Sequence, residues 1–350
     1  MTAVAMGAAA GYRRAGHRRV LGLAAGALVL AAAFLVDLGV GPGPATLGDV
    51  VRTLVDPGSA STRLAVVVLD LRLPVAAMAV LIGAMLGLAG AGMQTILANP
   101  LADPFTLGVS AAASVGAALG IAFGWALIPG TGPLLVTLNA FVFALAASLV
   151  LFGLTKLRGV TSETMILVGI ALLFIGNAVL ALIQYRANET QLQQIVFWMM
   201  GSLGRASPGK LAVCGAALAV ALPWLVLRGW KLTALRLGDE RAASLGIAVD
   251  ALRLEVLAVV SMLAAIAVSF VGTIGFIGLV GPHIARLLVG EDQRYFLPLS
   301  ALCSGVLLSV ASTLSKAVTP GVIYPIGMVT SFIGVPFFIA LIMSIRRKGI

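Results

Sequence analysis

Residues 73–102 read LPVAAMAVLIGAMLGLAGAGMQTILANPLA, without a single Asp, Glu, Lys or Arg. A helix needs about 20 mostly apolar residues to cross a bilayer, so this run is long enough for one crossing. It is rich in Ala and Gly rather than Leu. Gly83 and Gly87 stand four apart, a spacing that lets helix backbones approach closely in lipid. Gly116, Gly120 and Gly124 repeat that spacing further on. Ordinary helix packing explains these glycines as well as a functional role does.

Outward from this run the pattern recurs. Residues 104–155 carry no charge and are long enough to cross twice, with the turn signal PGTGP at 129–133 between the crossings. Residues 20–36, 164–185, 211–227 (containing Pro223) and 295–315 are further spans. Residues 256–285 are apolar but Gly-rich and contain Pro282 and His283, while 317–345 is broken by Pro320, Pro325 and Pro336. The length rule gives roughly eight to ten crossings. The Gly/Pro-broken segments are expected to be half-helices or re-entrant pieces. Irregular backbone at membrane depth survives only where protein or water satisfies it, so such pieces line a path rather than face lipid. The first span follows Arg13, Arg14, Arg18 and Arg19. A signal peptide has the same order of basic then apolar residues, but no clear cleavage site stands out and more spans follow, which favours an uncleaved helix.

The composition agrees. Of 350 residues 60% are hydrophobic and 10% charged, with a mean hydropathy of +1.10, whereas a soluble domain carries about 25% charge. This excludes an ordinary cytosolic enzyme, a disordered chain and a nucleic-acid binder, and predicts an all-α polytopic membrane protein. The net charge of +10 is read as topology. With both termini cytoplasmic and an even number of spans, seven of the 23 basic residues fall outside: Arg52, Arg63, Arg72, Arg186, Arg205, Lys210 and Lys316. The rest fall inside, as the positive-inside rule requires. Residues 1–19 are then a basic cytoplasmic tail, 20–345 the transmembrane domain, and 346–350 a basic cytoplasmic end. Cys214 and Cys303 lie in apolar runs and read as core-packing residues, not a disulfide.

Familiar chemistry is missing. Residues 204–210, GRASPGK, match seven positions of a phosphate loop, but Leu211 replaces the hydroxyl residue and an apolar span follows. The match reads as chance, and no nucleotide hydrolysis by this chain is expected. His17 belongs to the basic tail and reads as solvated. His283, placed at the start of a short apolar helix, could be a ligand or proton relay; the blander reading, a ring that satisfies nearby backbone groups, is preferred. No zinc spacing, catalytic group, metal ligand or cofactor is expected. Asp and Glu sit almost wholly in loops, with Asp37 and Asp103 near span ends. That counts against a stand-alone secondary transporter driven by an internal carboxylate. A polytopic membrane enzyme would need a cluster of His, Asp or Glu at a membrane face.

The strongest local signal is LGDERAASLGI at residues 237–247. Asp239 and Glu240 suit the first turn of a helix, Gly238 and Gly246 bound it, and Leu237, Ala243, Leu245 and Ile247 give it an apolar side. Such a short helix on the cytoplasmic face fits a partner's groove, although a solvated connecting helix has the same periodicity.

Five blocks together resemble the FecCD-type permease subunits of ABC importers for ferric siderophores, haem and cobalamin. They are Arg72-Leu73-Pro74 with Gly83 and GAGMQTILANPLADPFTLG at 90–108; FWMMG at 197–201; the 237–247 block; GTIGFIGLVGPHIARLLVGEDQR at 272–294 running into LPLSAL; and Pro325-Ile326-Gly327 through SFIGVPFF ending at 338. The resemblance implies ten transmembrane helices, short half-helices and a coupling helix. It also implies a dimer of permease subunits, two cytoplasmic ABC ATPases and an extracytoplasmic substrate-binding protein, in the cytoplasmic membrane and with no nucleic acid. By the same resemblance Gly238, Asp239, Glu240, Arg241, Ser244, Leu245 and Gly246 form the coupling helix that meets the ATPase. Arg72 and Lys316 would meet acidic residues of the binding protein. Gln94, Asn99, Pro100, Gly275, Gly278, Pro282, His283, Pro325 and Gly327 would belong to the path and its half-helices. The expected cargo is a ferric siderophore, with cobalamin or haem as alternatives. The siderophore already holds the iron, so the protein needs no metal ligands. The chain departs from the family pattern at Val75, where a second Arg is usual, and at Ile323 and Tyr324, where Glu and Leu are usual.

Overall fold

The computed structural model describes the backbone of residues 2–347 except 42, 44, 159, 160 and 320, and the side chains of 16–343 except those five, 59, 158, 341 and 342. The side chains of Arg13, Arg14, Arg158, Pro320, Arg346, Arg347 and Lys348 therefore lie outside the described residues. The described chain is helical: α1 (Thr2–Gly39), α2 (Leu47–Val55), α3 (Thr62–Ile96), α4 (Val109–Phe123), α5 (Leu135–Arg158), α6 (Ser162–Arg186), α7 (Glu189–Met199), α8 (Pro208–Leu227), α9 (Gly229–Leu235), α10 (Asp239–Ser244), α11 (Val249–Val271), α12 (Ile277–Val289), α13 (Gln293–Ala317) and α14 (Ile326–Arg347). Among the described residues, seven helices are long and apolar enough to cross a membrane, and Val109–Phe123, Ile277–Val289 and Ile326–Ala340 are shorter apolar helical stretches.

Helix α3 is the centre of the bundle, with every residue from Ile82 to Ile96 buried. Its glycines explain why. A Cβ at Gly83 or Gly87 would overlap Ser304 and its neighbours on α13, and one at Gly90 would overlap the carbonyl of Gly278 on α12. These glycines let three backbones close on one another, where dispersion contacts hold helices together in lipid. Thr95 meets Gln293 while Gly83 meets Gly305, so α3 and α13 are antiparallel. Helix α1 runs parallel to α13, joined through Arg19–Asp292 at one end and Asp37–Lys316 at the other. Gly116 and Gly120 pack against α5 at Asn139 and Leu135, but Gly124 ends α4 in a left-handed conformation with open space beside it.

Several expectations need correction. The basic N-terminal segment is helical, since α1 is continuous from Thr2, and His17 lies on its exposed surface. The run at 73–102 stops being helical at Ile96, and 97–108 forms tight turns. These turns fold back: Asp103 Oδ2 lies close to Gly278, whose neighbour is the Leu86 carbonyl. Leu86 is ten residues before Ile96, or about 15 Å back along the α3 axis. His283 is not at a helix start. Helix α12 begins at Ile277 and continues through Pro282, so His283 sits in its interior. Pro223 and Pro336 likewise lie inside helices, whereas Pro325 immediately precedes α14. The Gly-rich run at 256–285 does divide as expected. Gly272 ends α11 at φ +84° and Phe276 opens α12 at φ +68°, a left-handed conformation that is costly for an aromatic residue.

Candidate functional site

At one end of the bundle α10 stands on the surface. Gly238 enters it at φ +100° and Gly246 leaves it at φ +79°, turns that only glycine makes without strain. Gly238, Asp239, Glu240, Arg241, Ser244, Leu245 and Gly246 are all exposed, while Ala242 and Ile247 are buried and pin the helix to the bundle. The expected single apolar side is thus divided: Ile247 points inward, and Leu237, Ala243 and Leu245 face out. Asp239 does not simply face outward. Its carboxylate accepts from Arg253 Nη1 at 2.8 Å and Nη2 at 2.9 Å. Arg253, only 4% exposed, also donates to the Ile96 carbonyl and to Ser162 Oγ. One side chain therefore ties α10 to the ends of α3 and α6. The sequence reading missed Arg253, which looks like any basic loop residue.

A second connection runs inward from the segment before α10. Arg236 Nη2 donates to Glu291 Oε1 at 2.9 Å, and Arg286 Nε lies 3.0 Å from the same oxygen. Arg286 Nη2 then donates to Gln94 Oε1 at 3.0 Å, and Gln94 Nε2 reaches the Gly278 carbonyl at 3.4 Å. The last link has a covalent cause. Residue 282 is proline and has no N–H, so the carbonyl four residues earlier loses its helical partner, and Gln94 takes its place. The structure thereby brings together Gln94, Gly278 and Pro282. Asp292 beside this chain is paired with Arg19 and Arg294. The Arg294 hydrogen bond leads in holding its carboxyl below the usual carboxylate range, against a smaller opposing effect of burial.

A cavity of about 800 Å³ is lined by Asp103, Phe105, Met199, Phe276, Gly275 and Gly327, among others. Gly327 N–H donates to the Met200 carbonyl at 2.9 Å, and a Cβ there would overlap that carbonyl. Asn99 Oδ1 caps the Leu101 N–H at 2.9 Å, which holds the tight turn that carries the exposed Pro100. His283 packs edge-on against Phe337 at 6.0 Å. Its Nδ1 is buried without a hydrogen-bond partner among the described residues, so the expected backbone satisfaction of this ring is absent at that atom. Among the described residues no group of three or more His, Cys, Asp or Glu could hold a metal ion.

At the opposite end Arg72 and Lys316 are held by acceptors of this chain. Arg72 is 5% exposed. Its Nη1 donates to the carbonyls of Leu38, Gly39 and Ala45, and its Nη2 to those of Gly41 and Gly43. These include the carbonyls that the end of α1 leaves without intrahelical partners. The Lys316 ammonium lies 2.6 Å from Asp37 Oδ1, and Asp37 is fully buried. Both cations line a cavity of about 520 Å³ with Asp70 and Tyr324.

Apolar helices of crossing length bundled around α3, with an exposed helix tied into them, mark a polytopic membrane protein. The FecCD transport family model matches residues 29–344, and the chain belongs to that family. It is 38% identical over 310 residues to a Methanocaldococcus jannaschii protein named as an ABC transporter permease, covering 87% of this chain and 88% of that one. It is 35% identical over 276 residues to the vitamin B12 import permease of Vibrio parahaemolyticus, covering 79% and 82%. Among solved structures it resembles a metal-chelate type ABC transporter in an inward-facing conformation, with a TM-score of 0.79 at 27% identity, covering 93% of this chain and 99% of that one.

Proposed function

We propose that this chain is the permease subunit of an ABC importer that carries a ferric siderophore across the cytoplasmic membrane, with both termini in the cytoplasm. Two such subunits enclose the path, two cytoplasmic ATPases dock on α10, and an extracytoplasmic binding protein delivers the cargo. The observation that carries this reading is α10 itself, exposed on its outer side and tied by Asp239 to a buried arginine that reaches α3 and α6. A displacement of α10 by a partner is thereby passed to crossing helices. A partner drives such a change only by binding two conformations differently. The similarity to a metal-chelate transporter and to a vitamin B12 permease supports a bulky metal chelate as cargo, and the departures at Val75, Ile323 and Tyr324 favour iron chelates over cobalamin. Glu240 and Arg241 are the exposed charges that meet the ATPase, whereas Asp239 holds the helix in place.

The test is uptake of a panel of radiolabelled ferric siderophores, with labelled cobalamin as control, in cells with and without the gene. Loss of one ferric chelate supports the reading. Loss of cobalamin alone replaces the cargo. Uptake that a protonophore abolishes and that needs no ATPase overturns the importer itself.

A further inference from the structure

The GRASPGK segment at 204–210 fails as a nucleotide loop, since no strand precedes it and Ser207 Oγ takes the Lys210 N–H as an ordinary cap of α8. Its two cations nevertheless share a cavity. Arg205 and Lys210 line a space of about 530 Å³ between α5, α7 and α8, together with Thr137, Gln193, Gln194 and Trp198. No acidic side chain lines it among the described residues. The Arg205 guanidinium makes no hydrogen bond or ion pair with any described residue. Its Nη1 is shielded from solvent, and its one such contact is the Trp198 ring at 5.8 Å. Lys210 Nζ bonds only the Arg205 carbonyl, at 2.9 Å, and lies 5.8 Å from the centre of the Phe270 ring.

This contrasts with the other buried cations. Arg72, Arg236, Arg253, Arg286 and Lys316 all have a carboxylate or carbonyl partner. Nη1 is closed off from water and from anything in the cavity alike, so only the other guanidinium N–H groups can meet a ligand there. Two neighbouring cations add mutual repulsion. An anion in the cavity offsets that repulsion, with the side chains of Thr137, Gln193 and Gln194 as neutral donors beside it.

We propose that Arg205 and Lys210 form an oxyanion-binding site that takes a carboxylate or phosphate group. Guanidinium forks suit both groups geometrically. Two sources supply them: carboxylates of a free organic anion, or the phosphate of an anionic lipid at the membrane rim. That a carboxylate-bearing chelate uses the site on its way through rests on the importer reading above; the site itself does not.

Trp198 makes the test direct. The full-length chain in neutral detergent is titrated with citrate and with inorganic phosphate while tryptophan fluorescence is read, with Trp198→Phe as the signal control. A parallel arm compares nanodiscs of neutral lipid with nanodiscs containing phosphatidylglycerol. A saturable, salt-weakened change in either arm is expected, lost in Trp198→Phe and weakened about tenfold by Arg205→Gln or Lys210→Gln, with partial recovery in Arg205→Lys. Signal in the first arm identifies free anions, and signal in the second identifies lipid. Thermal melting checks folding, and Lys210→Gln serves alone if Arg205→Gln does not fold. No saturable signal in any arm, or variants that bind like the parent, overturns the site. Because binding is read on the isolated chain, failure of the uptake experiment leaves this result standing.

Discussion

Arg253 and Asp239 face each other as two parallel hydrogen bonds of 2.8 and 2.9 Å, one partner 4% exposed and the other at the surface. The geometry makes Asp239 an anchor of α10 on the bundle. Asp239→Asn loses one charge-assisted bond and leaves Arg253 with less compensation. The expected outcome is a looser α10. After Cys214 and Cys303 are replaced, a thiol introduced by Ala243→Cys should be labelled faster in the Asn variant, while Asp239→Glu stays near the parent rate. Equal labelling rates in all three would refute the anchoring role.

Pro282 frees the Gly278 carbonyl that Gln94 occupies. Pro282→Ala restores an N–H at that position, and an interior proline costs a helix about 3 kcal/mol relative to alanine. The variant should therefore melt at a higher temperature. It should also transport less, because the new helical bond competes with Gln94 and uncouples α12 from α3. Stability and uptake moving in the same direction would count against the proline as a working break.

Glu291 is shared by Arg236 and Arg286, and its Oε2 is buried without a partner among the described residues. Two cations competing for one oxygen give an element that shifts when either is moved. A shift of the α9–α10 segment that carries Arg236 changes the hold on Arg286, and through it on Gln94. Coupling claims need coupling evidence. Glu291→Gln should leave assembly and ATP hydrolysis of the complete importer near the parent level while uptake falls several-fold. Proportional loss of both activities would mark Glu291 as structural only.

Asp292 gives a pH dependence with a definite sign. Its folded-state pKa lies below the ordinary value of 3.8, chiefly through the Arg294 hydrogen bond. Its contribution is thus present above that value and is lost as pH falls through the lower folded one. The difference in melting temperature between the parent and Asp292→Asn should be constant near neutrality and shrink below about pH 4. A gap that persists in acid would assign the stabilisation to something other than the carboxylate.

The crossings were legible because charge-free runs of span length have few alternatives, and the α10 block because its glycines and first-turn acids make a local pattern. Contacts between distant segments were not. Asp37 and Lys316 are 279 positions apart, and each reads alone as a span-end charge; only the parallel packing of α1 on α13 joins them. The partners of Arg72 were hidden for a related reason. The sequence marks a basic residue at a helix boundary, but five carbonyls converging on it from 38–45 are a property of the folded turn. The fold-back of Asp103 was hidden because NPLADP reads as a turn without saying where the turn is aimed.

The Asp37–Lys316 pair supplies a final test. Asp37 is fully buried, and its Oδ1 also accepts from Thr313 at 3.2 Å. Removing one member of such a pair leaves an uncompensated charge and costs about 3–5 kcal/mol, whereas removing both together is often close to neutral. Lys316→Met and Asp37→Asn should each lower the melting temperature sharply, and the double variant should recover most of the loss. An exposed docking lysine behaves otherwise: Lys316→Met would then leave the melting temperature alone, and the double variant would melt no higher than Asp37→Asn. The thermal cycle in detergent therefore separates the buried pair from a surface contact without any partner protein present.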